Sequence, residues 1–285
     1  FIDFANEPIY PRVNSTVAVG AIIRDNIGVD DAILTYTFDN ITYTSLNLSK
    51  NNKFRAPSDI DADGKAEIIA GSQDGVFYVL DALTLKVEFT SANYGSFTGI
   101  GLEIADTDND GEDELIVADF NANNGVYFRV FKYRNNTYIL NATVGRPSEG
   151  NVYTIKVADT ENDGVKEIIV PDAGNSNIYI FEWNGNSYEL KINFAVADNP
   201  VALDAFDIDS DGTTEIITGD STANGRFFIH GFNGFNYAEE FRSPSLSSTI
   251  NGFVHGDLDD DGIEELVIGA SDRFFVYSYV AASYV

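Results

Sequence analysis

The chain has 285 residues, of which 44% are hydrophobic and 13% aromatic, so it can bury a substantial core and is not a disordered acidic chain. Its formal net charge of −28 argues against nucleic acid as a partner, repels anionic membranes and favours cations. It has no Cys, which excludes disulfides, and no apolar run approaches the roughly 20 residues of a membrane-spanning helix, so membrane insertion is not expected.

Residues 1–50 form the first predicted region, rich in β-strand residues. The stretch PRVNSTVAVGAIIRDNIGVDDAILTYTFDNITYTSLNLS predicts strands near 16–24, 31–38 and 41–48. It resembles the first half of an immunoglobulin-like or fibronectin-like domain whose second half is absent. Two interpretations stay open: these strands close the ring of the second region, or their open edge pairs with a neighbouring subunit.

Residues 51–285 contain five copies of a nine-residue acidic pattern. The copies begin at Asp59, Asp106, Asp159, Asp207 and Asp257, which lie 47, 53, 48 and 50 positions apart. A fixed period of this size predicts a repeat architecture. Each copy is followed by an Ile/Val-rich run such as EIIAG or ELIVA, then by a third β-rich run, and in the middle repeats by a fourth.

Four short strands per repeat, joined by Asn/Gly turns and without a helical period, describe a propeller blade. The sequence therefore predicts an all-β fold, a β-propeller of four-stranded blades. We expect five blades, or six if residues 1–50 complete another one. The fifth repeat ends at Val285 without an obvious fourth strand.

The acidic pattern itself predicts a metal-binding loop. Positions 1, 3, 5 and 9 are carboxylates, which suit a hard cation such as Ca²⁺, and position 6 is always Gly, which permits a positive φ. Position 7 varies freely, as expected if only its backbone carbonyl is a ligand. The carboxylates are Asp59, Asp61, Asp63 and Glu67; Asp106, Asp108, Asp110 and Glu114; Asp159, Glu161, Asp163 and Glu167; Asp207, Asp209, Asp211 and Glu215; and Asp257, Asp259, Asp261 and Glu265. The residues at position 7 are Lys65, Glu112, Val165, Thr213 and Ile263.

Calcium is favoured over the alternatives. An EF-hand needs flanking helices and a Glu at position 12, whereas here the acid is at position 9 and the flanks are strands. Mg²⁺ prefers to keep its waters and avoids all-protein cages. Positions 1, 3, 5 and 9 of the loops hold 20 of the 45 acidic residues, so we expect up to five Ca²⁺ ions and coupling between metal binding and folding.

The pattern D-x-D-x-D-G-x-x-E followed by an Ile/Val strand resembles the FG-GAP/VCBS-type repeat, also found in integrin α-chain propellers. The resemblance covers about residues 51–285. It implies Ca²⁺ in the loops that join the first and second strands of blades, an extracellular location, and roles in adhesion, glycan binding or scaffolding.

Other signals agree with secretion. The chain starts at Phe1 with no initiator Met or leader, which we interpret as a mature, processed product. Five Asn-x-Ser/Thr sequons mark candidate glycosylation sites, at Asn14, Asn40, Asn47, Asn135 and Asn141.

No catalytic motif is present: the sequence has no H-E-x-x-H, G-x-S-x-G or Walker loop. We therefore expect a non-enzymatic, secreted, calcium-stabilised propeller with a structural or adhesive role on the cell exterior. Its expected partners are calcium and either further copies of itself, in an oligomer, filament or surface layer, or a cell-surface glycan or protein. The first alternative is a lectin-like glycan-binding module, and the second, which the sequence favours less, is a Ca²⁺-dependent polysaccharide lyase.

Overall fold

The computed structural model describes residues 32–38, 41–48, 53–61, 63–71, 75–94, 101–118, 125–146, 151–196, 199–259, 261–271, 273–280 and 283–284. The chain divides into two compact units, Phe1–Lys50 and Asn51–Val285. In the described residues, no helix combines the length and the apolar character needed to cross a membrane.

The first unit contains one described hairpin. Strands β1 (Ala32–Phe38) and β2 (Ile41–Leu48) pair antiparallel, with Phe38 opposite Ile41. The strand predicted near 16–24 lies outside the described residues. Whether the hairpin closes a ring or pairs with another subunit stays a prediction.

The second unit is built from consecutive antiparallel sheets, which we number as blades 1 to 5. Blade 1 consists of β3 (Lys53–Ser58), β4 (Glu67–Gly71), β5 (Phe77–Asp81) and β6 (Val87–Thr90). Blade 2 consists of β7 (Leu102–Ala105), β8 (Glu114–Ala118), β9 (Val126–Arg134) and β10 (Thr137–Gly145). Blade 3 consists of β11 (Lys156–Ala158), β12 (Glu167–Asp172), β13 (Asn177–Trp183) and β14 (Tyr188–Ala195). Blade 4 consists of β15 (Pro200–Phe206), β16 (Glu215–Asp220), β17 (Phe227–Phe232) and β18 (Tyr237–Arg242). Blade 5 consists of β19 (Ile250–Gly256), β20 (Glu265–Ala270) and β21 (Phe274–Tyr277).

The first strands of consecutive blades lie side by side, β3 by β7, β7 by β11, β11 by β15 and β15 by β19. This arrangement confirms the predicted all-β propeller, with five blades among the described residues. The fifth sheet has three described strands, as its short repeat suggested, and the last described strands, β22 (Tyr279–Val280) and β23 (Ser283–Tyr284), form a separate hairpin.

Burial explains the sequence pattern of the strands. β8 is buried along its whole length because a neighbouring blade covers each of its faces, so it reads as an unbroken apolar run. The fourth strands are mostly exposed, and β14 alternates charged and apolar residues because it lies at the outside of its blade.

The first strand of blade 3 is short. In the alternating segment 151–159, only β11 (Lys156–Ala158) pairs with β12. Ile155 instead lies against Gly101: a Cβ added to Gly101 would lie 2.5 Å from the Ile155 nitrogen. The chain before β11 therefore packs on blade 2, where Val152 and Ile155 are buried.

The core lies between blades. Four apolar clusters fill the junctions between blades 1 and 2, 2 and 3, 3 and 4, and 4 and 5. We call the side of a blade that packs on the next blade its forward face, and the opposite side its rear face. On the second and third strands the forward faces consist of Ile69, Phe77 and Val79 in blade 1; Ile116, Phe128 and Val130 in blade 2; Ile169, Ile178 and Ile180 in blade 3; and Ile217, Phe227 and Ile229 in blade 4, all 0% exposed.

Candidate metal centres

Each acidic loop connects the first and second strands of a blade, where the resemblance implies it. The same hydrogen bonds shape all five loops. In the second loop, the Gly111 N–H donates to Asp106 (2.9 Å), the Glu112 N–H to Asp110 (3.0 Å) and the Thr107 N–H to Glu114 (2.8 Å). The equivalent three bonds occur in the other four loops at 2.8–3.0 Å. The carboxylates at positions 1, 5 and 9 therefore fold the loop.

The glycine at position 6 is required by backbone conformation. Gly64, Gly111, Gly164, Gly212 and Gly262 have φ between +87° and +92°. A Cβ at any of them would meet nothing within 4 Å, so space does not explain the choice. The positive φ does, because it is costly for residues with a side chain.

The carboxylates converge to different degrees. In the first two loops all four predicted side chains contribute oxygens that lie within 4.8 Å of one another. In the fourth and fifth loops three do: Asp207, Asp209 and Glu215, and Asp257, Asp259 and Glu265. In the third loop Asp163 and Glu167 are joined by Glu182 of β13, while Asp159 and Glu161 are not part of the group.

Position 7 adds side-chain contacts in three loops. Lys65 Nζ lies 3.0 Å from Asp63 Oδ2, Thr213 Oγ1 donates to Asp211, and Glu112 contacts Arg134. The predicted role of the position-7 carbonyls as metal ligands stays a prediction.

A lysine enters the second loop. Lys132 of β9 pairs with Glu114 across the sheet, and its Nζ lies 2.6 Å from Asp108, 2.6 Å from Asp110 and 3.0 Å from Glu114. The ammonium thus lies among three of the four predicted ligands. Those contacts raise the pKa of Lys132 although its burial acts to lower it, so it stays charged.

A second lysine reaches the third loop. Lys191 of β14 lies 3.1 Å from Glu161, 3.5 Å from Glu167 and 3.8 Å from Asp163, and it also contacts Glu182. Among the described residues, no lysine forms an ion pair with an acid of the fourth or fifth loop. The second and third loops therefore contact an ammonium from a neighbouring strand, and the fourth and fifth do not.

The Glu at position 9 is the most buried ligand in each loop. Burial raises the pKa of Glu67 to about 7, against the lowering effect of the Ile60 N–H, and Asp61 and Asp59 raise it further. Burial likewise raises the pKa of Glu215 to about 8, with Asp209 adding to the effect. These carboxylates are costly to ionise without a cation beside them.

The donor set fits a hard divalent cation. Asp106 Oδ1 and Asp108 Oδ1 are buried and accept no hydrogen bond from the described residues. Clustered carboxylate oxygens around a tight turn are the ligands that Ca²⁺ takes in proteins. In the fourth and fifth loops no lysine of the described residues contacts the clustered acids, whereas Lys65 contacts Asp63 in the first loop.

Sequence reasoning missed Lys132, Glu182 and Lys191. Lys132 and Glu182 occupy the third-strand position opposite the Glu of position 9, but they follow that Glu by 18 and 15 residues respectively. The loops between the second and third strands differ in length, so no constant spacing from the position-9 Glu marks the opposite residue in the sequence.

Of the candidate glycosylation sites, Asn135 and Asn141 are exposed, Asn135 in the turn between β9 and β10 and Asn141 in β10. Asn14 and Asn40 lie outside the described residues, and Asn47 belongs to β2. Exposure makes Asn135 and Asn141 accessible to modification, and glycosylation at all five positions stays a prediction.

Comparison with known proteins identifies the fold alone. The structure of Sqt1 from Saccharomyces cerevisiae matches with a TM-score of 0.58 and 13% identity over 84% of this chain. The chain spans 64% of the length of that protein. A structure of BBS1N in complex with ARL6DN, soaked with lead, matches with a TM-score of 0.58 and 11% identity over 89% of this chain and 75% of the other. No family model and no curated protein sequence matches the chain.

Proposed function

We propose that this protein is a secreted, calcium-stabilised β-propeller with a non-enzymatic structural or adhesive role on the cell exterior. The propeller fold fits a scaffold role, and the acidic loops supply the means of stabilisation. The single observation that carries the proposal is the repeated loop, in which at least two further carboxylates converge on the buried position-9 glutamate of every blade.

Calcium would act by neutralising charge at the base of each blade. The position-9 glutamates are buried and begin the second strand, so repulsion from the other loop acids acts directly on the sheet. A cation that binds the folded loop but not the unfolded chain stabilises the fold in proportion to its affinity and concentration. We assign the strongest calcium sites to loops four and five, because Lys65, Lys132 and Lys191 contact the acids of the other three.

Removal of the metal tests this directly. We expect thermal melting in EDTA to occur at a lower temperature than in excess Ca²⁺, and calorimetric titration of the metal-free protein to show saturable binding. Asp209→Asn should lower the number of bound ions by one, whereas Asp113→Asn, at an exposed acid outside the ligand positions, should leave it unchanged. An unchanged melting temperature in EDTA would sink the proposed stabilising role.

The extracellular role rests on the resemblance to FG-GAP/VCBS-type repeats, and the sequons agree with it. In the assembling form of the proposal, the edge of the β1–β2 hairpin pairs with another subunit to build a filament or surface layer. Electron microscopy with and without chelator tests it. Discrete monomers under both conditions would contradict assembly without contradicting calcium binding.

A surface groove favours a second candidate, the lectin-like module. It has a volume of about 720 Å³ and lies between blades 2 and 3, with Trp183, Tyr188, Asn186 and Arg146 in its wall. The half-buried indole of Trp183, beside amide and guanidinium groups, suits a sugar ring and its hydroxyls. A glycan array on the calcium-loaded protein tests this, and loss of any signal in Trp183→Ala would place binding in the groove.

A further inference from the structure

The forward face of blade 5 is apolar and exposed. Val276 and Phe274 occupy the positions of Ile229 and Phe227 in blade 4, as the strand registers show. Phe227 and Ile229 are 0% exposed, but Phe274 is 73% and Val276 45% exposed. The same pattern of side chains is therefore buried in blades 1 to 4 and open to solvent in blade 5.

Two further residues extend this face. Leu258 is 59% exposed, whereas its counterpart Ile208 in blade 4 is buried. Val254 of β19 pairs with Val267 of β20, just as Asp204 of β15 pairs with Ile217 of β16. Val254 therefore occupies in blade 5 the position that Asp204 occupies in blade 4. We call the surface formed by Val254, Leu258, Phe274 and Val276 the blade-5 face.

The residues that the first strands contribute to the blade faces show that the blade-5 face is not adapted to water. In blades 2, 3 and 4 the position of Val254 holds Glu103, Lys156 and Asp204. Lys156 lies 3.9 Å from Glu103 and 3.0 Å from Asp204, so charges join consecutive blades. At blade 5 the charged row gives way to an exposed valine. A blade face in contact with water is expected to be polar, and this one is apolar.

The chain itself shows what covers such a face. At all four internal junctions the forward face receives the rear face of another blade, with a fully buried aliphatic residue at the second position of its second strand: Leu115, Ile168, Ile216 or Leu266. The equivalent residue of blade 1 is Ile68, which is only half-buried, as is Tyr78 opposite it in β5. The described residues form no apolar cluster between blade 5 and blade 1.

We propose that the blade-5 face binds the rear face of blade 1 of a second copy of this chain. Both halves of a blade junction are present in one molecule and incompletely buried, so they complete each other between molecules. The contact is head-to-tail, and repetition of such a contact gives a ring or an open filament. The inference rests on the structural role proposed above and names its partner and surface, which differ from the β1–β2 edge.

Sedimentation velocity of the full chain in Ca²⁺ tests the contact. We expect oligomers that grow with concentration. Phe274→Glu should reduce them to monomers, whereas Phe235→Glu, the same substitution at an exposed residue in the turn between β17 and β18, should leave them unchanged. Val276→Lys provides a second variant of the same face.

A mixing experiment with two variants tests whether the contact between molecules is head-to-tail. Tyr78→Glu should also be monomeric, and an equimolar mixture with Phe274→Glu should form a dimer that does not extend, since each variant retains one intact face. A monomeric wild-type chain at every concentration would overturn the inference, as would oligomers of Phe274→Glu equal to those of the wild type. Circular dichroism shows that each variant is folded. Calcium titration on the same samples reports separately on the metal sites, so loss of one proposal is distinguishable from loss of the other.

Discussion

His230 is a buried histidine at a place where other blades have apolar residues. Its counterparts are Phe131 in blade 2 and Phe181 in blade 3. The ring is 3% exposed and lies 5.2 Å from the ring of Phe194. Burial lowers the pKa of His230 to about 4, although Glu239 acts to raise it.

The buried imidazole predicts an acid-sensitive contribution to stability. The unfolded chain takes up a proton near pH 6.5 and the folded chain only near pH 4, so the unfolded state binds more protons between these values. Stability is therefore retained above pH 6.5 and falls as the pH drops toward 4, by about 3 kcal/mol from this group.

His230→Phe should remove that part of the pH dependence. The measurement is the free energy of unfolding in urea at pH 7 and pH 4.5, in EDTA, for wild type and variant. Carboxylates affect both proteins alike, so the difference between the two pH profiles isolates the histidine. Parallel profiles would show that His230 titrates normally in the folded state.

At the scale of elements, a strand pair decides the charge of a loop. Lys132 reaches the second loop because β9 pairs with β8, and it neutralises part of the charge that a metal would otherwise have to compensate. Removal of one partner from a buried ion pair leaves the other uncompensated, at a cost of about 3–5 kcal/mol.

Lys132→Met should therefore lower the melting temperature strongly in EDTA and much less in Ca²⁺. Calorimetric titration should show one more bound ion than in the wild type. Lys86→Met, which removes an exposed lysine between β5 and β6, serves as the control and should change neither value. Equal calcium stoichiometry in Lys132→Met and wild type would mean that the ammonium does not compete with the ion.

Tyrosines on the fourth strands link neighbouring blades in two different ways. Tyr188 of blade 3 hydrogen-bonds through its hydroxyl to Thr107 of blade 2 at 2.7 Å, and Thr107 also donates to Glu114. Tyr138 of blade 2 lies beside Ile60 of blade 1, and its buried hydroxyl has no hydrogen-bond partner in the described residues.

The same substitution should then have opposite consequences at the two sites. Tyr188→Phe should destabilise the protein by about 1 kcal/mol, because a buried hydrogen bond is lost, whereas Tyr138→Phe should be neutral or stabilising. Equilibrium unfolding in urea measures both. Equal losses would show that the Tyr138 hydroxyl is satisfied, for instance by a bound water.

At the scale of the whole molecule, stability should fall toward blade 5. Blades 2, 3 and 4 are packed on both faces, but the forward face of blade 5 is exposed in the single chain. Segments with fewer buried contacts open locally at lower cost. In dilute protein we expect hydrogen exchange to be faster in β20 and β21 than in β16 and β17. Faster exchange should disappear at concentrations where oligomers form, and uniform protection in a monomer would contradict this gradient.

The sequence by itself determined the repeat, the strand order and the loop that each blade carries. These features depend on local spacing: the D-x-D-x-D-G pattern fixes the turn through hydrogen bonds within nine residues, and the alternating apolar runs fix the strands beside it.

Only the tertiary structure decided which charges enter each loop and which apolar faces are covered. Strand registers and bulges bring three side chains to their loops: Lys132, Glu182 and Lys191. Because the connections between strands differ in length, spacing in the sequence does not predict these registers. Phe274 and Phe227 occur in nearly identical stretches, RFFVY and RFFIH, but blade 5 packs on Phe227 and no blade of the described residues packs on Phe274. Whether a side chain on a blade face is buried depends on the blade packed against it, so the sequence of a single strand does not specify its burial.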